Sequence, residues 1–323
     1  MATGALFLTE ASPGAPVLSG TNGALCAVLD WALVQKGWAI EYSATNARVY
    51  RPGSGNRQRL FVAHDSSISG DARLATVRGC ENASAATIAG LVDPFPTVAQ
   101  VANNSASFLV STAASAVARG YRIVVSETFL LMVTNCASSA TSNWDLFFFG
   151  DAAGTETGDL YGTVIHVGST STATSALGRA MSNAIANSVS AASTYWCRSI
   201  DATVRSSRGC LVAAASGSGT SSFCSVPQIG VMRGGYAGRI NREKVAATCL
   251  GSNSTSVGAP AIVKRGWIPN LWNPLHSGIG AITADDDFTD TSYAPGSSFV
   301  IAPASGNIAC ILETTDTWSP PVG

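Results

Sequence analysis

Residues 21–42 read TNGALCAVLDWALVQKGWAIEY, and the spacing of their apolar side chains changes part-way along. In the first part these side chains recur every three or four positions, at Leu25, Val28, Leu29, Ala32 and Leu33. This period predicts an amphipathic helix of about four turns. Thr21 and Asn22 stand where capping residues are expected, and Gly37 stands where the helix is expected to end.

Short strands are predicted for much of the remaining chain. Trp38, Ile40 and Tyr42 alternate with smaller or polar residues, and further short runs are separated by Gly, Asn, Ser and Pro. These runs cover residues 49, 60–62, 73–79, 121–125, 127–133 and 144–149, and later 210–214, 225–232, 261–263, 299–302 and 308–313. Because residues 147–149 are three consecutive phenylalanines, both faces of that strand are predicted to be covered.

The composition changes near residue 168, where a segment rich in Ser, Thr and Ala begins. We therefore predict a mainly β fold of the α+β type, in two halves. Residues 1–168 are expected to pack the N-terminal amphipathic helix on antiparallel sheets of short strands. Residues 194–323 are expected to form a second β-rich half, sandwich-like or barrel-like, with residues 169–193 as the connection.

Charge is scarce in this chain. Charged residues make up 12% of the sequence, about half of the roughly 25% that is typical of soluble proteins. Such a surface suits a protein that neighbouring subunits cover. The formal net charge is −1 and the basic residues are dispersed, so nucleic-acid binding is not expected. No apolar stretch approaches the roughly 20 residues of a spanning helix, so direct membrane insertion is not expected either.

The residues that usually carry chemistry form no recognisable active-site pattern. The eight cysteines include no CxxC pair, and their wide spacing favours single buried positions over a zinc or redox site. His64, His166 and His276 show no metal-ligand spacing, and structural roles are favoured for them. No GxSxG elbow or phosphate-binding loop occurs. We therefore predict no catalytic residues, no cofactor and no enzymatic activity.

One acidic cluster is a weak candidate for a calcium site. Asp285, Asp286 and Asp287 are consecutive, and Asp290 follows three residues later. Calcium prefers several carboxylate and carbonyl oxygens on a flexible loop, which makes Asp285, Asp287 and Asp290 the candidate ligands. The alternation of ligands, the central Gly and the terminal Glu of an EF-hand are missing. A solvated loop is therefore the favoured interpretation.

The segment 266–275, GWIPNLWNPL, contains two tryptophans among prolines. Proline disfavours a helix here and suits a rigid arm. Two interpretations stay open for it. The segment is either a buried corner of the fold or an anchor docked into a neighbouring subunit, because aromatic residues dominate interface cores.

A series of short motifs runs along the chain in order. It comprises GAPVLSGTNG at 14–23, LD at 29–30, GW at 37–38, VYRPGSGN at 49–56, RG at 78–79, DPFPT at 93–97, GDLYG at 158–162, RGWIPNLW at 265–272 and LETTDTW at 312–318. This series resembles a family of tailed-bacteriophage virion proteins, described as structural or minor tail proteins. The resemblance covers nearly the whole chain and implies a particle component of the tail tip, baseplate or neck, with no catalytic residues to carry over.

Taken with that resemblance, the residues predict a non-enzymatic building block that forms a ring with its own copies and contacts other tail or neck proteins. The expected contact residues are Trp267, Trp272 and Trp318, with Phe7 to Val17 as an extended arm. The N-terminus, MATGALFLTEASPG, lacks the pattern of a signal peptide, so synthesis in the bacterial cytoplasm and a final location in the virion are expected. Alternatives are a capsid decoration or cement protein, a receptor- or glycan-binding tail module, and a particle-borne hydrolase.

Overall fold

The computed structural model describes residues 4–97, 99, 106–137, 144–155, 161–167, 195–197, 207–212, 242–250, 262–274, 287–289, 298–304, 307–315 and 318. Two α-helices lie in this part of the chain, α1 at Ala24–Val34 and α2 at Ser66–Ser69, together with a 3₁₀ helix at Ile88–Gly90. The strands are β1 Leu6–Thr9, β2 Ala39–Ala44, β3 Ala47–Arg51, β4 Arg59–Ala63, β5 Leu74–Cys80, β6 Asn82–Ala83, β7 Leu91–Val92, β8 Ser107–Leu109, β9 Tyr121–Val125, β10 Phe129–Asn135, β11 Trp144–Asp151, β12 Thr163–His166, β13 Tyr195–Cys197, β14 Ser207–Val212, β15 Arg242–Leu250, β16 Ile262–Pro274, β17 Asp287–Thr289, β18 Ser298–Ala304 and β19 Asn307–Glu313. The predicted mainly β class is confirmed.

The strands form one long sheet, one shorter sheet and a two-stranded ribbon. The long sheet has the order β1-β9-β10-β11-β12-β13-β14-β15-β16-β19-β18-β17, and the shorter one has the order β2-β3-β4-β5-β8. Strands β6 and β7 pair with each other. Neighbouring strands pair antiparallel, as in β9–β10–β11. The long sheet stays open between β1 and β17, so the described residues favour the sandwich over the barrel.

The predicted division into two domains falls between β12 and β13. These two strands hydrogen-bond to each other, with Val164 opposite Cys197 and Ile165 opposite Trp196, so the long sheet runs across the predicted boundary. The predicted connection, residues 169–193, lies outside the described residues. The division therefore stays a prediction.

The main core lies between the short sheet, α1 and one face of β9–β12. Helix α1 contributes its apolar stripe, including Leu25, Val28 and Leu29, which are completely buried. Strands β9 to β12 and the short sheet contribute the rest, chiefly Tyr121, Ile123, Phe147, Phe149, Ile165, Leu60, Val62, Ala75, Val77 and Phe108. The predicted packing of an amphipathic helix on antiparallel strands is confirmed.

The three phenylalanines of β11 point alternately to its two faces. Phe147 and Phe149 belong to the main core, where Phe149 meets Trp38 edge to face at a centroid distance of 6.1 Å. Phe148 lies on the opposite face and stacks on Phe129, also at 6.1 Å. Strands β16 and β18 contact β10 and β11. Both faces of β11 are covered, as predicted.

Helix α1 begins differently from the prediction. Its first residue follows Gly23, which has a φ of 82° and offers no side chain for a cap, whereas Thr21 and Asn22 were expected to cap. A residue with a β-carbon would be strained at that φ, so glycine suits the position. The Asn22 side chain instead exchanges hydrogen bonds with Ser66, at the start of α2.

None of the described helices is long and apolar enough to cross a membrane.

Candidate interaction surface

The N-terminal segment is not an extended arm. Strand β1 pairs with β9, with Phe7 opposite Val124, and forms an edge of the long sheet. Phe7 is half-buried on its own chain. The Glu10 carboxylate accepts hydrogen bonds from the Tyr121 backbone N–H and the Arg122 guanidinium, and the Tyr121 hydroxyl donates to the Pro16 carbonyl at 3.0 Å. The prediction of an arm spanning Phe7 to Val17 is therefore corrected, because these contacts hold the segment on β9.

Val17, a predicted contact residue, lies on an exposed apolar surface together with residues 114–118, which the sequence did not single out. A β-bridge pairs Leu18 with Arg119, and the Gly20 N–H donates to the Ser115 carbonyl at 3.0 Å. These bonds place the loop before β9 beside the segment after β1. We call the exposed side chains of this region the valine patch: Val17, Ala114, Ala116, Val117 and Ala118.

The two segments that form the valine patch expose no charged side chain of their own, although the partly exposed Glu10 carboxylate, paired with Arg122, lies beside Gly120 at their edge. Val17 is 63% exposed and Val117 is 54% exposed. Among residues 11–20 and 111–119 the only charged side chain is Arg119, which is buried and donates its Nε–H to the Ser111 hydroxyl at 2.8 Å. Apolar surface without charge is typical of the centre of protein interfaces.

A second exposed apolar pair lies on β2, the edge strand of the short sheet. Ile40 and Tyr42 are exposed there. The charged residue between them, Glu41, is held on the sheet by Arg51 and Arg59, each with its Nε 2.9 Å from a carboxylate oxygen. A register shift between Ile40 and Tyr42 marks a bulge, a feature that blunts an edge strand against pairing.

Two of the three tryptophans predicted to contact a neighbouring subunit are buried within this chain. Trp272 and Trp318 are buried, which supports the buried-corner interpretation at these positions. Trp267 is half-buried in β16, where its backbone N–H and carbonyl both bond to Ala153 at 2.8 Å. The predicted rigid arm is therefore part of a 13-residue strand, β16.

The last two sequence motifs meet in a buried polar lock. The Asn270 side-chain amide donates to the carbonyls of Glu313 and Thr315, both at 2.9 Å. The Trp272 indole N–H donates to the Glu313 carboxylate at 3.0 Å, and Glu313 is completely buried. Asn270 adopts a φ of 59°, which asparagine tolerates better than most residues. This lock ties the end of β19 to β16.

Two earlier motifs also meet other parts of the chain. Gly79 and Phe95 exchange two backbone hydrogen bonds at 2.9 and 2.8 Å, and Arg78 donates to the Pro96 carbonyl at 2.9 Å. Arg78 is completely buried, and burial lowers its pKa to about 10. The RPGSGN loop ends at Asn56, whose backbone N–H donates to the Asp151 carboxylate at 2.8 Å.

Two aspartates of β11 hold this strand to other elements through their carboxylates. Asp145 is buried, and its carboxylate accepts the Leu109 backbone N–H at 2.7 Å, which joins β11 to β8. Asp151 ends β11 and also accepts the Thr163 hydroxyl. Both carboxylates accept hydrogen bonds from other parts of the chain and so hold β11 in place.

A cysteine, a histidine and an aspartate lie close together near the start of α1, but not in a catalytic arrangement. Both ring nitrogens of His64 are engaged by backbone groups, Leu25 N–H and Ala72 C=O, and burial lowers the pKa of this ring. Burial raises the pKa of the Cys26 thiol to about 11, so it is a poor nucleophile. Asp65 caps α2. Both contacts of the His64 ring are to backbone groups, as the predicted structural role requires, and Cys26, Cys80 and Cys136 are buried free thiols.

Two of the three candidate calcium ligands, Asp285 and Asp290, lie outside the described residues. His276 lies outside them as well. Asp287 is the first residue of β17, where its backbone pairs with Val300. Within the described part of the chain, no group of three or more His, Cys, Asp or Glu side chains is arranged to hold a metal ion. The candidate site stays a prediction.

Comparison of the sequence with models of known protein families gave no match, and comparison with curated proteins gave none either. The resemblance to tailed-phage structural proteins therefore depends on the motif series alone. Sequence reasoning missed the part of the valine patch at residues 114–118. The run TAASAVA at 112–118 is uncharged, but so are other segments with exposed residues, such as residues 82–92, so the sequence contains no specific signal for it.

Proposed function

We propose that this chain is a non-enzymatic structural component of a tailed-phage particle, where it forms a ring with copies of itself in the tail tip, baseplate or neck. The observation that carries the proposal is the valine patch, in which two largely exposed valines lie on segments that expose no charged side chain of their own. The tail-specific part of the proposal rests on the resemblance of the motif series.

The distribution of charge supports an assembly role. The charged side chains on the described surface are largely used within the chain, in the pairs Arg48–Asp30, Arg51–Glu41, Arg59–Glu41, Arg73–Asp71 and Arg122–Glu10. Such pairs fix loops and strands but leave little charge to keep copies apart. A low-charge surface with an apolar centre is suited to contact between subunits.

Contacts of the motif residues within the chain support the same proposal. The GWIPNLW and LETTDTW segments bond to each other, and Arg78-Gly79 bonds to the segment at 93–97. Their contacts stabilise a rigid sandwich, which is what a symmetric ring requires of its repeating unit.

Sedimentation velocity of the purified chain tests the assembly surface. We expect concentration-dependent association of the unsubstituted protein, and loss of that association in the double variant Val17→Lys with Val117→Lys, because the introduced charges would have to be desolvated at the contact. The matched control is Val92→Lys, which charges an exposed valine on β7, away from the patch. A monomer at all concentrations, or equal association of the double variant, would contradict the proposal.

A further inference from the structure

His64 joins three separate parts of the fold through its buried ring. Its Nδ1 accepts the Leu25 backbone N–H in the first turn of α1 at 3.0 Å, and its Nε2 lies 2.8 Å from the Ala72 carbonyl before β5. A backbone N–H can only donate, so Nδ1 carries no proton. The proton therefore lies on Nε2, and the ring is neutral when both bonds are made.

The backbone of the same residue adds two more bonds. The Gly23 N–H donates to the His64 carbonyl at 2.7 Å, and the His64 N–H donates to the Asn46 carbonyl at 2.9 Å. His64 thus takes the place of the missing side-chain cap on α1 and connects the helix to the turn between β2 and β3. His64 is one of several contacts between the first turn of α1 and the short sheet, together with the bond from the Tyr50 hydroxyl to the Cys26 carbonyl and the bond from the Cys26 thiol to the Asn46 carbonyl.

We propose that His64 is an acid-operated latch, in which a proton on Nδ1 breaks the bond to Leu25 and releases the first turn of α1 from the short sheet. A protonated ring would turn an N–H toward the Leu25 N–H, and two donors cannot bond to each other. It would also place a positive charge at the positive end of the helix dipole. Release would expose apolar residues of α1 that the sheets now cover, including Leu25 and Val28.

The charged groups around His64 do not remove this conflict. Burial lowers the pKa of the ring, although the Ala72 carbonyl and the neighbouring Asp65 carboxylate raise it. From α1, the Cys26 thiol donates to the Asn46 carbonyl and Asp30 pairs with Arg48. From the loop before β5, Asp71 and Arg73 flank Ala72 and pair with each other. Since the folded pKa lies below the unfolded value of about 6.5, the latch is fully closed above that pH and weakens as the pH falls below it.

Amide hydrogen exchange of the full-length chain at about pH 7.5 and about pH 5 tests the latch, after correction for the intrinsic exchange rate. We expect the opening constant of the first turn of α1 to rise by up to about tenfold per pH unit below pH 6.5, since opening takes up one proton. In His64→Asn the amide oxygen can accept the Leu25 N–H but does not titrate, so the rise should disappear. His166→Asn, which replaces another buried histidine, should keep the rise.

Equal α1 exchange at both pH values in the unsubstituted protein would overturn the latch, and so would an undiminished rise in His64→Asn. If that variant does not fold, the ring resonances of carbon-13-labelled histidine in the unsubstituted protein report the protonation of His64 directly. A His64 that protonates without faster exchange in α1 would also overturn the proposal. Faster α1 exchange with the same midpoint as the His64 resonance would support it.

Discussion

At the scale of single residues, the motifs that stand out in the sequence serve contacts within the chain. Gly79 and Phe95 form a close backbone pair, and Asn270 bonds to two carbonyls from the end of β19. Their residue types follow from these contacts, because glycine admits a close approach and asparagine tolerates a positive φ while offering an amide. The side chains with the most exposed apolar surface, such as Val17, do not belong to residue types that stand out in a sequence.

Gly79→Ala tests this use of glycine. A β-carbon at Gly79 would overlap the ring of Phe95, which is completely buried. We expect a loss of about 1–3 kcal/mol in the free energy of unfolding, the usual effect of overpacking a core. The control is Gly120→Ala, where the nearest atom outside the adjoining residues would be Glu10 Oε1 at 3.4 Å. Urea denaturation of both variants is the measurement, and equal stability of the two would contradict the account.

At the scale of elements, periodicity predicted the strands and the helix better than it predicted how they connect. The predicted strand at 121–125 coincides with β9, and the predicted strand at 144–149 lies within β11. The start of α1 could not be predicted, because its capping group is the ring of His64, 39 residues away from Leu25. The pairing of β1 with β9 likewise joins residues more than a hundred positions apart, and no local pattern encodes it.

The polar lock between β16 and β19 gives a prediction at this scale. Trp272→Phe removes the indole N–H that donates to the buried Glu313 carboxylate. Hydrogen bonds to charged groups contribute about 1.5–3 kcal/mol, against about 0.5–1.5 kcal/mol for neutral pairs. We therefore expect a larger loss of stability than in Trp38→Phe, which removes a buried bond from an indole to the neutral Ser126 carbonyl. Thermal and urea denaturation would measure both, and a smaller effect in Trp272→Phe would contradict the lock.

At the scale of the whole molecule, the chain is a sandwich in which one long sheet continues from β1 to β17. The sequence predicted the mainly β class, since alternation and turn residues are local signals. It could not predict that the long sheet continues past residue 168, because the β12–β13 pairing joins two strands that are far apart in the sequence. Residues 114–118 of the valine patch escaped prediction for the same reason, since their neighbour in the patch, Val17, is distant in the sequence.

The stability of the whole molecule should decrease in mild acid. Burial lowers the pKa of His64, and it lowers that of His166 to about 3. Both rings therefore bind a proton more readily after unfolding, so stability is complete above about pH 6.5 and falls below it, by up to about 1.4 kcal/mol per pH unit for each histidine.

Asp65 and Asp71 do not contribute to the change in stability between about pH 4.5 and 7.5. Hydrogen bonds, led by that from Asn46 for Asp65 and that from Arg73 for Asp71, lower the pKa of each carboxyl below 3.8, so their contribution is lost only at more acidic pH. Urea denaturation at a series of pH values between about 4.5 and 7.5 measures the slope. A constant free energy of unfolding across this range would contradict the burial of neutral histidines.

The copy number of the chain in purified particles tests the proposed role as a building block of a phage particle. Quantitative mass spectrometry of purified particles, normalised to the major capsid protein, gives that number. The account predicts a small count that matches one closed ring, on the order of three to twelve copies per particle. A count in the hundreds would place the chain on the capsid as a decoration protein instead, and absence from purified particles would contradict the structural role altogether.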